Sequence, residues 1–355
     1  MIHNKNSTVL MRVDGGDIIG YGHIMRTVGL AQALADVGFK PVFYTRLVDG
    51  SGVETLRRNG LIPVVIPPFL EEEEEPQWML EDLSRTIGSP GLIVVDGYHF
   101  SDEYWSLFES DSVLMATDVF GGRNYAGVDL IYNGYAHAEK MDYAQCKDDT
   151  GFLLGTRWLI IRDEVVHRIP VIRKRQHEKI SQILVNGGGV DEHDVTGRVA
   201  SALAKLEADD IPDKIIFTHG IKYPFQERLK KLTGKLPTAE VCVQPDNFVD
   251  LILDSDLVIC AGGLVQYEST MLGTPSIALI VEENQKDSSF AMQELGITEV
   301  AGWLKNLSDE QILEAFRRLA LDQGKRQEMV NIGARLLDGK GAERVAKACL
   351  ERVNR

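Results

Sequence analysis

The residues best suited to chemistry lie in the segment Arg12-Val-Asp14-Gly-Gly-Asp-Ile-Ile-Gly-Tyr-Gly22-His23. Four glycines fall within positions 15 to 22, so the backbone there can turn tightly and approach a ligand. His23 then opens a helix, where a neutral imidazole can take a proton as a general base. The plainer alternative is a histidine that only caps the helix. The glycine spacing is not G-x-G-x-x-G, and no acid sits where a ribose-binding one belongs, so a dinucleotide fingerprint is excluded. A second loop, Val94-Val-Asp96-Gly-Tyr98-His99, presents Asp96 and Tyr98 after a buried-type strand. Asp96 is either a ligand for a polar substrate or the cap of a turn. A third loop repeats the pattern with Asp118 after Ala116-Thr117, followed by Asn124, Asp129 and Asn133. Such groups bind sugar hydroxyls or amides, or simply form turns.

The second half carries two more glycine loops. Leu184-Val-Asn-Gly187-Gly188-Gly189 ends a strand on bare amides, a pattern that suits an anion. Asp256-Leu-Val-Ile-Cys-Ala-Gly262-Gly263-Leu264 leads into a helix whose N-terminus suits a diphosphate. Glu268 lies one to two turns into that helix, where a carboxylate can accept both hydroxyls of a ribose. Its alternative is a solvated helix carboxylate. Asn284 and Gln285 leave the following strand toward the same end.

These loops need elements to hold them. Apolar segments at 8–13, 41–44, 62–66, 92–95, 113–117 and 130–132 read as strands, and so do 182–185, 214–218, 240–243, 257–260 and 276–281. Ile24, Val28, Ala31 and Leu34 keep a helical period that ends at Gly38. Helices are also expected at about 195–206, 308–321 and 327–352. Strands alternating with helices give α/β architecture with parallel sheets. The 355 residues exceed the roughly 250–300 that one core supports. The reading is therefore two Rossmann-like domains: 1–162, a charged Pro170-containing linker at 163–179, and 180–355. Ligands of such sheets bind outside the strands' carboxyl ends, here expected at a cleft shared by both domains.

Composition narrows the partners. A net charge of −15 argues against nucleic acid. The run Glu71–Glu75 reads as a solvated loop, since consecutive residues cannot all face one ion. Cys146, Cys242, Cys260 and Cys349 show no C-x-x-C and no histidine at ligand spacing, so neither structural zinc nor a disulfide framework is expected. Cys260 ends an apolar strand and reads as a packing residue. No apolar run approaches the roughly 18–20 residues of a membrane span. The polar start lacks a signal-peptide core, so a cytoplasmic protein is expected. No swapped arm or apolar heptad is visible, and a monomer is expected.

Four segments together resemble the family of UDP-2,4-diacetamido-2,4,6-trideoxy-β-L-altropyranose hydrolases, of pseudaminic-acid biosynthesis, and their spore-coat polysaccharide relatives. They are Arg12 through Gly22-His23-Ile-Met-Arg26, Val95-Asp96-Gly97-Tyr98, Leu154-Gly155 through Arg162-Asp-Glu164, and Ala261-Gly262-Gly263 through Glu268 to Glu283-Asn284-Gln285. The likeness spans about Val9 to Gln285. It departs from the family pattern at Gly15, Leu264, Tyr267 and the stretch 118–133.

The resemblance implies a MurG-like GT-B fold, with UDP held mainly by the C-terminal domain through Gly187, Gly188, Gly262, Gly263, Leu264 and Glu268. It implies a sugar site of Asp14, Gly22, Arg26, Asp96, Tyr98, Asp118, Asn284 and Gln285. It further implies His23 as the base that activates water, with no metal and no cofactor. The products would be UDP and a free amino sugar. A GT-B glycosyltransferase with the same nucleotide site is the competing reading, and a non-catalytic nucleotide-sugar binding protein is a third.

Overall fold

The computed structural model describes residues 7–15, 22–46, 50–61, 63–97, 99–101, 103–118, 120–169 and 179–355. Tyr98, most of the first glycine loop and Pro170 lie outside the described residues. The chain divides into two compact units, 1–163 with 339–355, and 164–338.

Unit 1 is built on strands β1 (Thr8–Val13), β2 (Lys40–Thr45), β3 (Pro63–Val65), β4 (Leu92–Asp96), β5 (Val113–Thr117), β6 (Leu130–Asn133) and β7 (Gly151–Leu154). Their order is β3-β2-β1-β4-β5-β6-β7, all parallel. Helices α1 (Gly22–Asp36), α2 (Gly50–Arg58), α3 (Glu75–Thr86) and α4 (Asp163–Arg168) accompany them, α4 opening the second unit. The central strands are buried on both faces. Val9, Met11 and Val13 join one apolar cluster with α1, while Leu10 joins the other. That alternation is the period of two a strand imposes. It also places Arg12, 1% exposed, on the Leu10 face, where a cation needs partners.

Unit 2 repeats the plan with β8 (Gln182–Asn186), β9 (Lys214–His219), β10 (Ala239–Val243), β11 (Leu257–Ala261), β12 (Ser276–Ile280) and β13 (Glu299–Trp303). The order is β10-β9-β8-β11-β12-β13, again parallel. Its helices are α5 (Val195–Leu203), α6 (Gln226–Thr233), α7 (Phe248–Asp254), α8 (Leu264–Met271), α9 (Glu283–Glu294), α10 (Asp309–Ala320) and α11 (Gln323–Leu336). Ser308 and Gln311 form a reciprocal cap at the start of α10. Cys260 and Cys349 are buried, and burial pushes both thiols up to about 12. Among the described residues no helix is long and apolar enough to cross a membrane.

Two expectations about the chain's end are corrected. The helix expected over 327–352 is two, because Asp338 and Gly339, poor helix formers, part α11 from α12 (Gly341–Val353). Nor does 180–355 form one domain, because α12 returns to unit 1. There Val345, Ala346 and Cys349 enter the α1 core, and Arg352 bonds Asp129 at 3.3 Å and Asp149 at 2.6 Å. The glutamate run is also not a solvated loop. It forms a 3₁₀ turn and the start of α3, and Glu75 is 2% exposed.

In each sheet the strand order reverses once, between β1 and β4 and between β8 and β11. Loops at such a switch point part to opposite faces and leave a crevice at the carboxyl ends. His23, Asp14 and Asp96 stand at the first switch point; Gly187 and Gly262 stand at the second.

Candidate functional site

On α1, His23, Arg26 and Thr27 occupy positions i, i+3 and i+4, which share one helix face. That face meets Asp96, the last residue of β4. His23 Nδ1 lies 2.7 Å from Asp96 Oδ1. Arg26 grips the same carboxylate at two points, Nη2 to Oδ1 at 2.6 Å and Nε to Oδ2 at 2.9 Å. Thr27 Oγ1 donates to the His23 carbonyl at 2.7 Å and reaches Asp96 Oδ2 at 3.1 Å. Arg26 Nη1 also donates to the Tyr135 hydroxyl at 3.1 Å. His23, Arg26 and Asp96 are all buried, at 5%, 4% and 2% exposure.

The tautomer of His23 follows from these contacts. Arg26 Nη2 also stands 3.1 Å from His23 Nδ1, and a guanidinium can only donate. Were Nδ1 to accept from it, a lone pair would face the Asp96 carboxylate at 2.7 Å. Nδ1 therefore carries the hydrogen and donates to Asp96, and the lone pair sits on Nε2. Burial alone would raise the Asp96 carboxyl, but the charge of Arg26 and the hydrogen bonds from His23 and Arg26 overturn it. Asp96 is held well below the usual carboxylate range and stays ionised. The geometry is that of a carboxylate orienting an imidazole base and stabilising its cation.

Of the residues expected to bind sugar, Arg26 and Asp96 thus turn out to hold each other and His23. Asp14 is likewise committed within the protein. Its Oδ1 accepts from the Arg46 amide at 2.7 Å and Thr45 Oγ1 at 3.2 Å and pairs with Arg12 Nη1 at 2.7 Å, while its Oδ2 meets His99 Nε2 at 3.1 Å. Burial opposes its charge, yet the bonds from His99 and Arg12 keep its carboxyl well below the usual range. Arg12 Nε donates to Glu75 at 2.9 Å, and Glu75 also takes Arg46 and, at 2.9 Å, the Tyr104 hydroxyl. Asp118, which follows β5 as Gly97 follows β4, is bound by the Tyr125 hydroxyl and, at 2.9 Å, by the Phe120 amide. Gly22 is the exposed first residue of α1. The expectation for Tyr98 falls outside the described residues.

The second unit separates its two glycine loops by use. The amides at the start of α5 are already met by Asp191, whose oxygens accept from Val195 at 2.7 Å and Thr196 at 2.9 Å. A Cβ on Gly187 would stand 2.1 Å from the Asp191 carboxyl carbon, so glycine is there to admit that internal anion. The Gly188 amide is bonded to Asn186 Oδ1 at 3.0 Å. Of the nest expected at Gly187 and Gly188, the Gly188 amide is therefore already taken within the protein, and Gly187 faces the Asp191 carboxylate.

At α8 no side chain among the described residues caps the helix. The Gly262 and Gly263 amides are bonded to Leu279 and Ala261 carbonyls, at 2.9 and 2.8 Å. The donors there are instead the first-turn amides from Leu264 onward, which lack intrahelical acceptors. Among the described residues nothing lies within 4 Å of where a Gly263 Cβ would be, so they leave the approach open. Glu268 sits on α8 and is 5% exposed, not a solvated carboxylate. Gln285 Oε1 accepts from the Val281 amide at 3.1 Å and packs over Gly262, while Asn284 is exposed. Among the described residues no group of three or more His, Cys, Asp or Glu is placed to hold a metal ion.

Sequence reasoning missed Thr27, Tyr135, Glu75 and Asp191. Thr27 had a signal, its i+4 spacing from His23. Arg12, a cation in the middle of an apolar strand, signalled that a buried acid would be needed.

No family model matches the chain. It is 24% identical to the spore coat polysaccharide biosynthesis protein SpsG of Bacillus subtilis over 341 residues, 94% of each chain. It is 25% identical over 289 residues to the UDP-2,4-diacetamido-2,4,6-trideoxy-β-L-altropyranose hydrolase of Campylobacter jejuni, covering 79% of this chain and 94% of that one. A Methanocaldococcus jannaschii protein is 21% identical over 281 residues, and this chain spans 56% of its length. In fold it matches MurG of Acinetobacter baumannii, with a TM-score of 0.69, 12% identity and 97% and 99% of the two chains covered. It also matches MnaA of S. aureus, solved with UDP, with a TM-score of 0.68, 13% identity and 98% and 97% covered. The chain has the GT-B fold, two parallel-sheet Rossmann-like units, and the resemblance to the hydrolase and its spore-coat relatives holds at the level of distant sequence similarity.

Proposed function

We propose that this protein is a metal-independent hydrolase that cleaves a UDP-linked acetamido or diacetamido deoxy sugar to UDP and the free sugar. The observation that carries the reading is the His23–Asp96–Arg26 arrangement at the β1/β4 switch point. A water oxygen attacks the anomeric carbon while His23 Nε2 takes its proton. The bond from that carbon to the β-phosphate oxygen breaks, and UDP leaves with the electron pair. Asp96 steadies the imidazolium that forms, and Arg26 fixes Asp96. UDP is assigned to the α8 amides and Glu268, with the carboxylate accepting the ribose hydroxyls. The names of the two bacterial relatives support a role in surface-polysaccharide sugar metabolism.

The test is UDP release from UDP-N-acetylglucosamine, UDP-N-acetylgalactosamine and UDP-linked diacetamido trideoxyhexoses, in EDTA and without any acceptor. Release with at least one of them is expected. Release that begins only when an acceptor glycan is added would overturn hydrolysis in favour of transfer.

A further inference from the structure

His99 has no part in the mechanism above, yet it stands beside it. Val13 and Asp96 are register partners on β1 and β4, so Asp14 and Gly97 follow on adjacent strands about 4.8 Å apart. The His99–Asp14 pair and the His23–Asp96 pair therefore lie side by side at one switch point. They differ in access: the His23 ring is buried, whereas the His99 side chain is 39% exposed over an Asp14 carboxylate that is 8% exposed.

The position of the His99 ring is fixed from several sides. A Cβ on Gly97 would stand 2.5 Å from Phe100 Cε2 and 3.0 Å from His99 Cε1, so glycine lets both rings fold back over the strand end. His99 packs on Phe100 with centroids 4.1 Å apart, and Phe100 is stacked on Tyr104 at 4.3 Å and faced by Arg12 at 4.9 Å. Asp14 is immobilised by Arg12, Thr45 and the Arg46 amide. Because ionised Asp14 can only accept, His99 Nε2 donates to it, which leaves the lone pair of the neutral ring on Nδ1.

A neutral polar group suits that nitrogen better than a phosphate. Arg12, Arg26 and Arg46 are each paired with Asp14, Glu75 or Asp96. A diphosphate brought here would meet two carboxylates, Asp14 and Asp96.

We propose that His99, held by Asp14, is a specificity contact for the glycosyl group, its Nδ1 hydrogen-bonding a hydroxyl or amide of the sugar. This rests on the reading of the chain as a UDP-sugar enzyme, and the experiment separates the two. His99→Gln keeps a nitrogen where Nε2 donates to Asp14 but has no atom at Nδ1. His99→Asn keeps a polar atom near Nδ1 but cannot reach Asp14. UDP release is measured for wild type with the three UDP-sugars named above. Dissociation constants for UDP and for the best-bound UDP-sugar are then compared in a His23→Ala background, where turnover is slow.

The expected result for His99→Gln is a loss of about ten- to a hundredfold in UDP-sugar affinity, with UDP affinity unchanged. The His99→Asn variant should recover part of that loss. A UDP-sugar to UDP affinity ratio unchanged in His99→Gln overturns the proposal, and so does an equal loss for both ligands. A wild type that binds but releases no UDP sinks hydrolysis while the affinity ratio still judges His99.

Discussion

Replacing Asp96 by Asn tests the working parts of the site together. The carboxylate receives three N–H donors on two oxygens, His23 Nδ1 and Arg26 Nη2 on Oδ1 and Arg26 Nε on Oδ2, with Thr27 Oγ1 within 3.1 Å of Oδ2. An amide offers one oxygen. With that oxygen toward His23, its NH₂ confronts Arg26 Nε–H. With the oxygen toward Arg26 Nε, its NH₂ donates to His23 Nδ1 and moves the histidine's hydrogen to Nε2, removing the base. The first arrangement leaves the imidazolium without a counter-charge and the second removes the base, and comparable losses of a base or its orienting carboxylate cost about 10²–10⁴-fold in rate. At about 1.36 kcal/mol per tenfold, that is roughly 2.7–5.4 kcal/mol of barrier. Buried Arg26 would also lose its counter-charge, at a cost on the order of 3–5 kcal/mol of stability. Single-turnover UDP release reads the first effect, and equilibrium urea unfolding reads the second. UDP affinity, assigned to α8, should stay unchanged and shows that unit 2 remains folded. An Asp96→Asn enzyme within threefold of wild type in rate would refute the reasoning.

Further expectations follow from the same structure. Glu75→Ala should destabilise the protein by about 1–3 kcal/mol, since it takes one of two carboxylate partners from buried Arg12; exposed Glu73→Ala should stay within about 0.5 kcal/mol, both read by urea unfolding. Asp14 and Asp96 have folded pKa values below their unfolded value of about 3.9, so the folded state binds fewer protons. Their contribution to stability should therefore be complete above about pH 5 and fall as pH drops below about 4; a denaturation midpoint flat from pH 6 to 3 would contradict this. Glu268→Gln should weaken UDP binding by about 1.5–3 kcal/mol in calorimetry if its bonds to the ribose are charge-assisted.

Much of the fold was legible because it rests on period and punctuation. The apolar runs at Thr8–Val13 and Val113–Thr117 coincide with β1 and β5. Less regular strands escaped notice. Gly-Phe-Leu-Leu of β7 is too short to stand out, and β13 is an edge strand that begins with Glu299 and includes Gly302. The return of α12 to unit 1 is a tertiary choice that no local pattern reports. In the site, His23 and Asp96 could be picked out because Asp96 ends a strand of a parallel sheet and His23 comes after the glycine loop that follows one. Their partnership could not, because 73 residues separate them. Loop glycines were read as anion cradles, but Gly187 makes room for Asp191. Sequence alone cannot tell a bare helix end from one its own carboxylate already fills. The buried use of Glu75 was hidden by four neighbouring glutamates that do face solvent to differing degrees.

The central claim is that His23 Nε2 takes the proton of the attacking water. The most direct measurement is UDP release by His23→Ala against wild type, on the best UDP-sugar, in EDTA and without acceptor, with UDP affinity measured in parallel. The account predicts a rate lower by about 10²–10⁴-fold with UDP affinity retained. A His23→Ala protein that releases UDP within threefold of the wild-type rate would contradict it.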